Sequence, residues 1–390
     1  MRQYDFDEVI ERKGTSSVKH DKLKLLFGRD DLLSLWVADM DFRTPDFIVK
    51  ALKERCDHEV FGYTFAPDSY FESITTWVQY RYHWKVPREW ISYIPGIVRG
   101  VSFALDCFTQ PGDKVIIQPP VYHPFRLVPE ALGREVLDNP LRLVNGRYEM
   151  DFEHLESLMD ERCKVLILCS PHNPGGIVWN KDTLIRLAEI CHRHGVLVIS
   201  DEIHAEMVFP GNTQSPFASV SELAAVNSLT FMAPSKTFNI AGIVSSYAVV
   251  PDPVLREKFF AYLQARELGE GTIFAYTATT AAYTYGAEWL QQMRQYVIAN
   301  MNYVDEYLKN HIPQIKVYPA QASFLLWLDC RELKLSQEEL VRLFVEDARL
   351  ALNDGRIFGA EGVGYMRLNI GCPRAVLEKA LPALAQAVNK

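Results

Sequence analysis

The middle of the chain is punctuated by short runs in which apolar residues follow one another without alternating: DKVIIQ (113–118), KVLILCS (164–170), VLVISDE (196–202), SLTFMA (228–233) and SSYAVV (245–250). A strand with one wet face alternates apolar and polar side chains, whereas a run that is apolar throughout needs cover on both faces. Between two of these runs, KDTLIRLAEICHRHG (181–195) sets Leu184, Leu187, Ala188 and Cys191 at helical spacing and stops at a glycine. Strand, helix and strand in that order predict an α/β fold with a mainly parallel sheet covered by helices. At 390 residues the chain exceeds what one core usually fills, so two domains are expected. From about residue 286 the pattern changes to a long helical segment (286–312), then ASFLLWLD (322–329), SQEELVRLFVED (336–347) and GYMRLNIG (364–371). The expected division is a large domain over 46–285 and a smaller α+β domain over 286–390, against which 1–45 pack. The last segment (373–388) should open with Pro373 at the helix start and kink or break at Pro382.

Charge and composition narrow the function classes. A net charge of −8 argues against nucleic acid or an anionic membrane as partner. No apolar run reaches membrane-spanning length, and the first sixteen residues lack the apolar centre of a signal peptide. The seven cysteines are odd in number and scattered without a C-x-x-C pair, which reads as free thiols in a reducing cytoplasm. The 10 histidines show no H-E-x-x-H spacing, so a metal enzyme is not expected.

In open α/β sheets, ligands collect at the carboxyl ends of strands. After KVLILCS comes PHNPGG with Asn173 in a turn; after VLVIS comes Asp201; after SLTFMA comes Lys236. Each alone has an ordinary reading, as turn former, loop cap or surface amine. An amide, a carboxylate and an amine at three strand ends form a set that pyridoxal phosphate needs. Its aldehyde takes a lysine, its ring nitrogen a buried carboxylate, its phenolic oxygen a donor, and its phosphate backbone amides. Gly96 before the helical pattern of Ile97, Val101, Leu105 and Phe108 would aim the N–H groups of Ile97 and Val98 at an anion. Tyr122, in QPPVYHPF, stands at another strand end, where an aromatic ring can stack on a flat cofactor or simply pack.

SPHNPGG, SDEIH and SKTFN resemble the Asn, Asp and Lys motifs of fold-type I pyridoxal-phosphate enzymes of the aspartate aminotransferase superfamily. WVADMDF (36–42), VFGYT (60–64), DEIHAEMV (201–208) and RLNIGCPR (367–374) resemble the branch of MalY/PatB-type cystathionine β-lyases and cystalysin. The resemblance implies that Lys236 bonds the cofactor aldehyde and acts as base, that Asp201 pairs with the ring nitrogen, and that Asn173 donates to the phenolic oxygen. It implies that Tyr122 stacks on the ring, that Tyr63 reaches the phosphate of the neighbouring subunit in a homodimer with shared sites, and that Arg367 grips the substrate carboxylate. The activity implied is β-elimination from cystathionine, cystine or S-substituted cysteines.

Three positions depart from many aminotransferases of the superfamily. Ala233 replaces a serine three residues before the lysine, Val244 replaces a phosphate-binding arginine eight residues after it, and His204 replaces a tyrosine three residues after the aspartate. The Ile97 and Val98 amides, Tyr63 and Ser235 are then the remaining phosphate donors. His204 is open between a core histidine and a cofactor contact. The His204 pattern and the missing arginine, shared with the MalY/cystalysin branch, favour the lyase over one rival, an aminotransferase; a MalY-like regulatory binding protein that keeps the cofactor stays open as the second.

Overall fold

The computed structural model describes residues 3–318 and 320–390. Seven strands form the main sheet: β1 (Ile91–Ile94), β2 (Lys114–Ile117), β3 (Glu135–Asp138), β4 (Cys163–Cys169), β5 (Leu197–Asp201), β6 (Ser228–Met232) and β7 (Ser246–Val249). They lie side by side in the order β1-β7-β6-β5-β4-β2-β3. The neighbours from β6 to β3 pair in parallel. Only β7 reverses, running antiparallel to both β6 and β1. The five apolar runs are all strands; the two edge strands, β1 (ISYI) and β3 (EVLD), interrupt their apolar residues with polar ones, and the run pattern did not isolate them.

Successive side chains on a strand point to opposite faces. In β4, Val165, Ile167 and Cys169 join one core cluster, while Leu166 and Leu168 join another. The first face is covered by helices α1 (Ile97–Phe108) and α3 (Pro253–Ala265), through Ile97, Val101, Leu105, Phe259 and Leu263. The second is covered by α2 (Lys181–Arg193), through Leu184, Leu187 and Cys191. Burial on both faces is the physical reason that these runs do not alternate.

Beyond α4 (Ala287–His311) a second sheet is antiparallel throughout, in the order β8 (Lys316–Val317), β9 (Leu325–Asp329), β11 (Tyr365–Asn369), β10 (Asn353–Asp354). The N-terminal residues do pack here: Leu33 and Ser34 pair in parallel with Leu350 and Ala351, and Asn369 Nδ2 donates to the carbonyls of Val37 and Asp39 at 2.5 and 2.7 Å.

The C-terminal helix corrects one expectation. Helix α5 (Arg374–Val388) runs unbroken through Pro382, and Pro373 is the residue before its first turn. Pro382 and Glu378, whose carbonyl loses its donor to the proline ring, both lie on the exposed face, where solvent can serve that carbonyl. Leu377, Leu381 and Leu384 keep the opposite face seated in the core, so packing outweighs the missing bond.

Candidate functional site

Parallel pairing lines up the carboxyl ends of β4, β5 and β6. Cys169 lies opposite Asp201 and Asp201 opposite Phe231, so the residues that follow the three strands emerge side by side. Asn173 sits in the turn after β4, Asp201 is the last residue of β5, and Lys236 lies in the turn after β6. These three, with Ile97, Val98, Tyr122, His204 and Ser235, line one cavity of about 300 Å³. Arg367, from β11, reaches the same group from the second sheet and donates from Nη1 to Asn173 Oδ1 at 3.1 Å. Tyr63 is not among the lining residues; it stands fully exposed in an irregular stretch.

The Lys236 amine donates to the Ala38 carbonyl at 2.6 Å. Burial lowers its pKa to about 8, against the opposing pull of Asp39 and Asp201; the positive charge of Arg367 adds to the lowering. Asp201 is buried, and its carboxylate accepts the Ile203 N–H at 3.0 Å. Burial pushes its carboxyl up to about 6, although that N–H and Lys236 hold it down. His204 is buried against Phe324, its Nδ1 lies 3.3 Å from Ser323 Oγ, and burial lowers its pKa to about 3 with help from Lys236 and Arg367. The imidazole is therefore neutral across the working pH range. Burial raises the Tyr122 hydroxyl pKa, and Arg367 opposes the rise.

Arg367 is buried and heavily used. Its Nη2 donates to the Trp36 carbonyl and to Asn353 Oδ1, at 2.9 and 2.6 Å, while Nε is buried with no partner. At the start of α1, Gly96 has φ +108° and supplies no side-chain cap, and a Cβ built there would meet nothing within 4 Å. Gly96, Ile97 and Val98 line the cavity, so this uncapped first turn borders it, an arrangement disposed to hold an anion.

The donor set fits pyridoxal phosphate: an amine of depressed pKa, a buried carboxylate lacking a cation within bonding distance, an amide and an uncapped helix start in one cavity. The sequence reading missed Ala38, Cys169, Ile203, Ser245 and Ser246, which also line it. WVADMDF marked the Ala38 segment only as part of a resemblance; that its backbone carbonyl meets Lys236 depends on contacts about two hundred residues apart.

The sequence pattern of the family described as aminotransferase class I and II matches residues 30–384. Cystathionine beta-lyase PatB of Bacillus subtilis is 45% identical over 386 residues, covering 99% of this chain and 100% of that protein. Protein MalY of Escherichia coli is 33% identical, with 99% of each chain covered. The crystal structure of cystalysin from Treponema denticola, which contains pyridoxal 5′-phosphate, superposes with a TM-score of 0.96 at 34% identity, covering 100% of this chain and 99% of that one. With a family pattern spanning nine-tenths of its length and relatives matched end to end, this chain belongs to the aminotransferase class I and II family.

Proposed function

We propose that the protein is a pyridoxal-phosphate-dependent carbon–sulfur β-lyase acting on cystathionine, cystine or S-substituted cysteines. The observation that carries this reading is the shared cavity of Lys236, Asp201, Asn173 and the open α1 N-terminus. The names of the PatB and cystalysin relatives support the choice of elimination over amine transfer, as do His204 and Val244 in place of tyrosine and arginine.

Bound there, the cofactor supplies an aldehyde that captures amines and an electron-poor ring that takes up the electron pair left at the substrate Cα. With the cofactor in place, Lys236 would hold its aldehyde and, once free, its amine, whose pKa burial lowers to about 8, would take the substrate Cα proton. Asp201 keeps the ring nitrogen protonated, since a buried carboxylate beside a cation is a compensated pair. Asn173 donates to the phenolic oxygen, Tyr122 offers its ring for stacking, and Arg367 binds the substrate carboxylate through its unpaired Nε. The Cβ–S bond then breaks with both electrons on sulfur, a feasible departure because thiol pKa values lie near ~8.5. Released 2-aminoacrylate hydrolyses to pyruvate and ammonia; cystathionine also yields homocysteine.

The reading includes a homodimer in which Tyr63 of one subunit reaches the phosphate site of the other. It also includes a reducing, cytoplasmic setting, consistent with seven free cysteines. Among the described residues no helix is long and apolar enough to cross a membrane. Incubation with cystathionine tests the activity: homocysteine and pyruvate should appear in equal amounts without any keto acid added. Keto-acid-dependent amine transfer with no thiol released would make the protein an aminotransferase instead.

A further inference from the structure

Val244 does more than lack a guanidinium. Its backbone is left-handed, φ 58° and ψ 59°, a conformation that a β-branched residue adopts only under strain. The turn is held from both sides. The Val244 carbonyl accepts the Tyr93 hydroxyl at 2.9 Å, and β7 begins two residues later with Ser246 opposite Ile94 of β1. Ile94 leads directly through Pro95 and Gly96 into α1, so the strained turn sets Ser245 beside the start of that helix.

Ser245 is 1% exposed, its Oγ has no hydrogen-bond partner, and it lines the cavity together with Gly96, Ile97, Ser235 and Ser246. A buried hydroxyl without a partner is costly unless a ligand completes it. The uncapped first turn of α1 points to the same kind of ligand. Arg99, in that first turn, is the guanidinium among the residues lining the cavity. We propose that Ser245, presented by the strained Val244 turn, is a phosphate-binding residue that donates its hydroxyl to the cofactor phosphate. Arg99 and the α1 N-terminus supply the positive potential that many relatives draw from arginine at position 244.

This inference rests on the pyridoxal-phosphate reading, and the test begins from parent protein shown to carry the cofactor; a parent that binds none sinks that reading rather than this one. In loaded Ser245→Ala, the cofactor should leave about fivefold faster or more on dilution, and its ³¹P resonance should shift as one donor is lost. The unloaded proteins should behave oppositely. There the variant should melt no lower than the parent, because it buries one fewer unsatisfied hydroxyl. A release rate and ³¹P shift equal to the parent's would overturn the proposal and leave Ser245 as an orphan of the core.

Discussion

Lys236 is held by a carbonyl rather than by a carboxylate, and this sets its chemistry. Burial brings its pKa to about 8, so the neutral, nucleophilic amine becomes the major form only above that pH. Cofactor-free protein should therefore capture pyridoxal phosphate at a rate that climbs from pH 6, is half-maximal near pH 8 and levels off about one pH unit above that, followed by the visible absorbance of the product. A rate flat over that range would show that the Lys236 amine is not the group that titrates. Asp201 carries the opposite cost. Its folded pKa, about 6, lies above the ordinary carboxylate value, so the stability contributed by its proton is full below about pH 4 and is lost as pH rises through 6. In cofactor-free protein, Asp201→Asn should thus raise stability by about 1–3 kcal/mol at pH 8 and change it little near pH 4, as read by urea unfolding. With the cofactor bound the sign should reverse, because the carboxylate then has its cation. Equal urea midpoints for variant and parent at pH 8 would mean that the protein itself already compensates the charge.

At the scale of elements, the segment carrying Ala38 is a strap held at Val37 and Asp39 by Asn369 and at Met40 and Phe42 by Asn239. Asn239 Nδ2 donates to the Met40 and Phe42 carbonyls at 2.9 and 2.7 Å, and its Oδ1 accepts the Met40 N–H at 3.0 Å. Asn239 has φ +55°, a conformation asparagine tolerates better than most residues. Asn239→Ala should cost roughly 2–4 kcal/mol in urea unfolding, from three lost bonds and a less tolerant side chain. It should also open the strap to limited proteolysis near residue 40. Asn239→Gly, which removes the bonds but relieves the backbone, should fall between variant and parent; a glycine variant as stable as the parent would show that the bonds contribute nothing. This element also marks where sequence reading stops. The five inner strands of the main sheet were legible because burial on both faces leaves an unbroken apolar run, and Asn173, Asp201 and Lys236 were legible because each ends or follows such a run. The strap has no periodicity, and its partners lie about two hundred residues away. Ser245 sits at the edge of a recognised strand, but its orphaned hydroxyl follows from the backbone turn at Val244, which no residue pattern announces. Pro382 misled because a local rule about proline was outweighed by the leucines packed on the far side of its helix.

For the whole molecule, one core cluster extends from Trp77 and Tyr247 through Trp289 and Phe324 to Leu381, so the two sheets share their packing. The division into 46–285 and 1–45 with 286–390 is our proposal for the units within that shared core. The stretch around Tyr63 is different in kind: Val60, Phe61, Tyr63 and Phe65 are all exposed, a concentration of apolar surface suited to a second copy of the chain. If Tyr63 serves the neighbouring subunit's cavity, the defects of two variants separate onto different sites. Lys236→Ala destroys the cavity of its own chain, while Tyr63→Ala damages the cavity of its partner. Each homodimer should be nearly inactive. In a hybrid, the cavity of the Tyr63→Ala chain keeps its own lysine and receives an intact tyrosine from the other subunit, while the second cavity lacks both. Unfolding and refolding an equal mixture should make half the dimers hybrids, each with one good site, and so restore about a quarter of parental pyruvate formation. If Tyr63 instead served its own cavity, every site in every dimer would lack either the lysine or the tyrosine. Refolding would then restore nothing, and the shared-site arrangement would be wrong.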